Sequence, residues 1–138
     1  MMLEPEQRNV LDEHYERFFG SAPTIVMHEM VSQIVHIDVN IFPPTAERPY
    51  MTLATSGMSA LPMQVPSDAG RYNRAELLLY LDHDWDFGSP IGQLPISILQ
   101  KLARYPHLAK TWVSEGHTVE GSQRPLIPGS LLTDLYLS

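Results

Sequence analysis

The chain has no cysteine among its 138 residues. Disulfides, thiol nucleophiles and cysteine-ligated zinc are therefore excluded. A chain without covalent staples suits a reducing compartment, and a cytoplasmic location is expected. Basic residues are also scarce. Nine Lys and Arg stand against sixteen Asp and Glu, for a formal charge of −7 and a pI near 5.2. Binding a polyanion needs clustered cations to neutralise phosphates, and the nine here are scattered, so no nucleic-acid partner is expected. No stretch approaches the roughly 18 unbroken apolar residues of a membrane span, and the charged N-terminus lacks a signal peptide's apolar core. No membrane partner is expected either.

What is present suits a core. Apolar residues make up 43% of the chain and charged residues 18%, a globular composition, and the length fits one domain over residues 1–138. Residues 4–19 predict a helix, with Leu3, Val10, Leu11, Tyr15, Phe18 and Phe19 on one side and Gly20 as its stop. "TIVMHEM" (24–30) is a short strand candidate. "IVHIDVNIF" (34–42) alternates as a strand with one buried and one wetter face, ended by Pro43 and Pro44. "RPYMTLATS" (48–56) resumes β character up to Gly57, and "SALPMQV" (59–65) is a candidate to pair beside it. The apolar run "RAELLLYLD" (74–82) predicts a central strand buried on both faces. A second helix is expected over 95–105, with Ile98, Leu99, Leu102 and Tyr105 inward and Pro106 stopping it. "TWVSEGHTVEG" (111–121) reads as strand and turn, and the chain ends on alternating apolar residues. The pattern predicts an α+β domain: a mixed or antiparallel sheet with an N-terminal helix and a second helix packed on it.

The chemical candidates are few. His36, Asp38 and Asn40 alternate along one strand, so a single sheet face would carry all three. A second polar cluster, Asp82, His83, Asp84 and Asp86, lies in "LDHDWDF". Brought together, the two would make a His/Asp metal site and permit a metal-dependent hydrolase. The plainer reading is a solvated strand face and a turn rich in Asp. No HExxH, EF-hand or paired-His spacing supports a metal, and no cofactor is expected. "TSGMS" and "IPGSL" lack the two glycines that a nucleophile elbow requires, so Ser56 and Ser59 read as turn residues. Neither Gly88 with Gly92 nor Gly116 with Gly121 leads into a phosphate loop. His117, between Glu115 and Glu120, could be an acid or base with a raised pKa, but no second group converges on it, and a turn in which it bonds its neighbours is the favoured reading. Met51, Met58 and Met63 suit either an adaptable contact surface or a core, and Tyr50 suits a core.

Four segments in order carry a resemblance: "HIDVNIFPPTAERPYMTLATSGMSALPM", "RAELLLYLDHDWDF", "LPISILQKLARYPH" and "TWVSEGHTV". Over about residues 30–120 the chain resembles the suppressor-of-fused domain family in its bacterial form. The resemblance implies an α+β domain for protein–protein interaction, with no catalytic activity as its common trait. Animal members sequester zinc-finger transcription factors. Bacterial relatives are associated with polymorphic toxin systems, where they are thought to act as immunity proteins that bind a toxin. That implies a protein partner and no enzyme. The candidate partner-binding residues fall on the resembling segments: Asp38, Asn40, Pro43, Pro44, Arg48 and Tyr50 from the first strands and their corner. Gly57 and Met58 follow in the next turn, and Trp112, Gly116 and His117 near the end. Family domains usually continue for several dozen residues beyond "GHT", so a shortened C-terminus is expected. Strand 130–137 is then expected to find its neighbour in a homodimer.

Overall fold

A computed structural model of the chain describes residues 1–115, 117–119 and 135–136. Helix α1 spans Pro5–Phe19. The Gln7 side-chain oxygen accepts the Glu4 N–H at 3.0 Å, and Gly20 closes the helix at φ 79° with its N–H on the Glu16 carbonyl. A left-handed residue at that position is where glycine is favoured. Leu11, Tyr15 and Phe19 form its inward stripe. Val10 and Phe18, expected inward, are 69% and 61% exposed. Of the apolar residues of α1, only the i, i+4, i+8 row packs on the sheet, which is narrower than the apolar arc of the sequence.

Four strands make an antiparallel sheet in the order β1 (Ile25–Met27), β2 (Asp38–Phe42), β3 (Met51–Ser56) and β4 (Leu78–Leu81). In β2 against β3, Asn40 faces Ala54 and Ile41 faces Leu53, so the two faces can be read residue by residue. Val39, Ile41 and Leu53 join Val35 and Ile37 in the main core. That core is closed by Ile96, Leu99, Leu102 and Ala103 of helix α2, Leu94–Ala109. On the opposite face, Phe42 and Ala54 pack against Tyr15 and Phe19 of α1. The Phe19 and Phe42 rings are 4.5 Å apart, and the Tyr15 hydroxyl donates to the Thr55 carbonyl at 2.6 Å. The sheet thus lies between two helices, and every residue of β2 is buried.

This arrangement corrects several expectations. β2 has no wetter face, because α1 covers the side that carries Asp38 and Asn40. β4 is not central: among the described residues it pairs only with β3, and Leu78 and Tyr80 remain 43% and 50% exposed. An unbroken apolar run cannot distinguish a doubly covered strand from an edge that α1 fails to reach. Residues 59–65 form no strand. A 3-10 turn over Met58–Ala60 diverts the chain after Gly57, which sits at φ 133°. Pro106 does not stop α2. It is buried in the last turn, and the helix ends at Lys110 in the left-handed region, φ 52°. Tyr105, expected inward, is 42% exposed, while Pro106 and His107 turn in instead.

Near the end, β5 (Thr118–Val119) pairs antiparallel with β6 (Leu135–Tyr136). The described part of the 130–137 segment therefore has a neighbour within the same chain. Trp112 is not in a strand. Its ring meets His117 edge-on at 4.8 Å, and His117 Nδ1 accepts the Ser114 N–H at 3.1 Å. Gly116 lies outside the described residues.

Candidate functional site

The start of β2 gathers the densest polar cluster. Asp38 is 2% exposed, and each of its oxygens takes two donors. Arg8 Nη1 and His28 Nδ1 reach Oδ2 at 3.2 and 3.1 Å. The Glu29 N–H and His36 Nε2 reach Oδ1 at 3.0 and 2.8 Å. Burial alone would raise this carboxyl. The Glu29 N–H, His28, Arg8 and the charge of His36 outweigh it and hold Asp38 below the usual carboxylate range. Asn40, two residues on, donates from Nδ2 to the Ala54 carbonyl at 3.0 Å and to Ser56 Oγ at 2.8 Å. The row His36, Asp38, Asn40 does share a face, as its spacing implied, but it is turned onto protein.

The second cluster does not join it. Asp38 is opposite Ser56 at one end of β3, whereas Leu81, just before Asp82, is opposite Met51 at the other. At 3.3 Å per residue the two clusters are roughly 16 Å apart. Among the described residues, no three His, Asp or Glu side chains are placed to hold a metal ion.

A second, half-buried carboxylate organises the turn after β3. Glu76 accepts the backbone N–H groups of Gly57, Met58 and Ser59 and the Thr55 hydroxyl at 2.9 to 3.2 Å. Burial pushes its pKa up to about 7 against the pull of these donors. Gly57 is required there: a Cβ would lie 1.8 Å from the His36 carbonyl oxygen. Met58 and Met63, at 1% and 5% exposure, fill the core, which settles their reading; Met51 is half-buried against it.

The remaining candidate residues frame the surface. Pro43 is half-buried and Pro44 exposed at the corner after β2. Arg48 closes that corner: its N–H meets Thr45 Oγ1 at 3.0 Å and its Nη2 donates to the Phe19 carbonyl at 2.9 Å. Its guanidinium lies 4.6 Å over the Phe19 ring, so it ties the end of α1 to the β2–β3 connection. Tyr50 packs on Tyr80 with ring centroids 4.7 Å apart. Beside β4 runs a groove of about 620 Å³ lined by Arg71, Tyr72, Glu76, Tyr80 and Glu115.

Sequence reasoning missed Glu76, Glu29, Arg104 and Arg8. Glu76 did carry a signal, as the lone acid opening an apolar run. The other three had none, because their partners lie 8 to 75 residues away.

Fold and polar geometry together define an α+β domain with a four-stranded antiparallel sheet between two helices, whose internal carboxylates are saturated by neighbouring donors. Residues 34–138 match the suppressor of fused protein (SUFU) family, and the chain belongs to that family. No curated protein and no solved structure matches the chain. Among the described residues, no helix is long and apolar enough to cross a membrane.

Proposed function

We propose that this chain is a non-catalytic protein-binding domain of immunity type, which binds and neutralises a protein toxin in a bacterial cytoplasm. One observation carries the reading: the two carboxylates gathered at the sheet, Asp38 and Glu76, are spent on donors of the fold itself. Asp38 takes four donors on two oxygens, and Glu76 takes three backbone N–H groups and a hydroxyl. A general acid or base must have a lone pair or proton aimed at a reacting atom, and these groups aim at the fold. Family membership supports protein interaction, and the charge of −7 favours capture of a basic partner, with an association rate that falls as salt rises.

Of the candidate contact residues, Pro44, Tyr50, Trp112 and His117 offer surface, while Asp38, Asn40, Gly57 and Met58 act from behind it by fixing the loops. The test is direct binding to the product of a toxin gene adjacent to this one. A stoichiometric complex that abolishes toxicity is expected. Failure to bind, together with turnover of a small molecule by the purified chain, would refute the reading. Homodimerisation through segment 130–137 is a separate proposal, and light scattering that shows a monomer at high concentration removes it.

A further inference from the structure

The Thr55 hydroxyl stands between two acceptors. Thr55 is fully buried, and its Oγ1 lies 3.2 Å from Glu76 Oε1 and 3.5 Å from the Leu77 carbonyl oxygen. Both distances exceed the roughly 2.5 to 3.0 Å of an ordinary hydroxyl bond, so the donor is committed to neither. The same oxygen accepts the Leu77 N–H at 2.8 Å, while the Thr55 N–H closes on the Leu77 carbonyl at 3.0 Å. A hydroxyl has one donor and two acceptor sites, so Oγ1 keeps one acceptor site for Glu76.

The Glu76 carboxylate divides its donors unequally. Oε1 takes the Gly57 and Met58 N–H groups, both at 2.9 Å. Oε2 takes the Ser59 N–H at 3.1 Å and a second, longer contact from Gly57 at 3.3 Å. Gly57 and Ser59 therefore reach Oε2, whereas Met58 reaches Oε1 alone. The carbonyls of the turn are held separately. His107 donates from Nε2 to the Met58 carbonyl at 2.9 Å, and Arg74 from Nη1 to the Ser59 carbonyl at 2.6 Å. Glu76 is half-buried and lines the groove beside β4, which gives solvent protons a route to it.

We propose that Glu76 and the Thr55 hydroxyl form a proton-operated latch on the 57–59 turn, closed while the carboxylate is ionised and released at the Met58 N–H when it is protonated. One proton from solvent bonds to Oε1. The new O–H donates to Thr55 Oγ1, whose free acceptor site it fills, and the Thr55 hydroxyl rotates onto the Leu77 carbonyl. A protonated oxygen no longer serves two amides, so Gly57 falls back on Oε2 and Met58 loses its acceptor. Because His107 and Arg74 keep the carbonyls, the turn loosens on its N–H side without detaching. Desolvation lifts the Glu76 pKa to about 7, which puts the change near neutral pH.

Other charged groups face this turn. Tyr15 of α1 donates to the Thr55 carbonyl and stays protonated, its pKa raised far above the ordinary value by burial. His107 approaches from α2, and Arg71, Arg74 and Glu115 line the groove. Glu6 and His14 of α1 share a surface cleft with Ser59 and Arg74. Histidine is the side chain that ordinarily titrates near neutrality, so His14 and His107 are the groups to separate from Glu76.

The experiment is a nuclear magnetic resonance titration of the full chain, with amide hydrogen exchange corrected for intrinsic rate at pH 5.5 and pH 7.5. The Met58 amide is expected to be about tenfold or more less protected at pH 5.5 than at pH 7.5. Val39 and Leu53 in the core should change the other way, following the greater global stability of the protonated fold. The Leu77 carbonyl carbon should titrate with the same midpoint as the Met58 amide, and stay still in Thr55→Val. Glu76→Gln should remove the pH dependence at Met58, and His14→Gln/His107→Gln should leave it in place. Met58 protection that rises at pH 5.5 together with Val39 and Leu53 overturns the inference, as does a Leu77 carbonyl that does not move. Both are read on wild type, so neither depends on a variant folding. A Met58 titration that disappears in the histidine variant also overturns it.

Discussion

Glu76 Oε1 accepts the backbone N–H of Met58 at 2.9 Å, joining the start of the outer strand to the turn that leaves β3. The same carboxyl has its pKa pushed up to about 7, above its ordinary 4.5. Between those values the folded chain keeps a proton that the unfolded chain has released, so stability falls as pH rises through that window. Asp38 and Glu29 act in the opposite sense. Both lie below their ordinary values of 3.8 and 4.5, and their contribution is lost as pH falls below that range. Urea midpoints are therefore expected to peak near about pH 5 and decline toward pH 7.5. Glu76→Gln should flatten the decline. A wild-type midpoint higher at pH 7.5 than at pH 5.5 would contradict this account.

Gly57→Ala is expected to destabilise the fold by roughly 3 kcal/mol or more. The new Cβ would meet the His36 carbonyl oxygen at 1.8 Å, and the backbone sits at φ 133°. Gly20→Ala is the comparison, since nothing lies within 4 Å there and only the positive φ of 79° is strained. It should cost about 1 kcal/mol. Equal losses in thermal midpoint would show that close approach is not what demands glycine at position 57.

Tyr15→Phe removes the hydroxyl that donates to the Thr55 carbonyl at 2.6 Å and leaves the ring against Phe42. A loss of roughly 1 to 2 kcal/mol in urea unfolding is expected. Burial also drives the Tyr15 hydroxyl far above its ordinary pKa of 10.0, so this tyrosine should ionise only on unfolding. Ultraviolet titration of wild type against the variant at pH 11 reads that directly.

Arg104→Met strands the Glu29 carboxylate, whose side chain is only 9% exposed, and should destabilise by about 3 kcal/mol. Combined with Glu29→Gln, the loss should be smaller than the sum of the two single changes by about 2 kcal/mol. Strict additivity in the double-mutant cycle would mean that the pair does not act as a unit.

Metal removal is expected to change nothing. Protein purified without added ions should contain no stoichiometric metal, and chelator should leave the thermal midpoint in place. A bound ion that disappears in Asp38→Ala would revive the hydrolase reading.

The sequence by itself determined what local chemistry decides. Pro5, Gly20 and the Leu11–Tyr15–Phe19 spacing set α1, and Pro43 ended β2 because proline offers no ladder N–H. Alternation correctly placed Ile37, Val39 and Ile41 together and Asp38 with Asn40 on the other side. Only the tertiary structure decided what lay on each side. A period of two separates two faces without saying which of them a helix will cover, so Asp38 read as solvated when α1 had sealed it in. The outer position of β4 was hidden for the same reason. Glu76 on the 57–59 turn and Arg104 on Glu29 were hidden for another: a hydrogen bond between residues 17 to 75 positions apart leaves no local periodicity, and forms only where the fold brings its partners together.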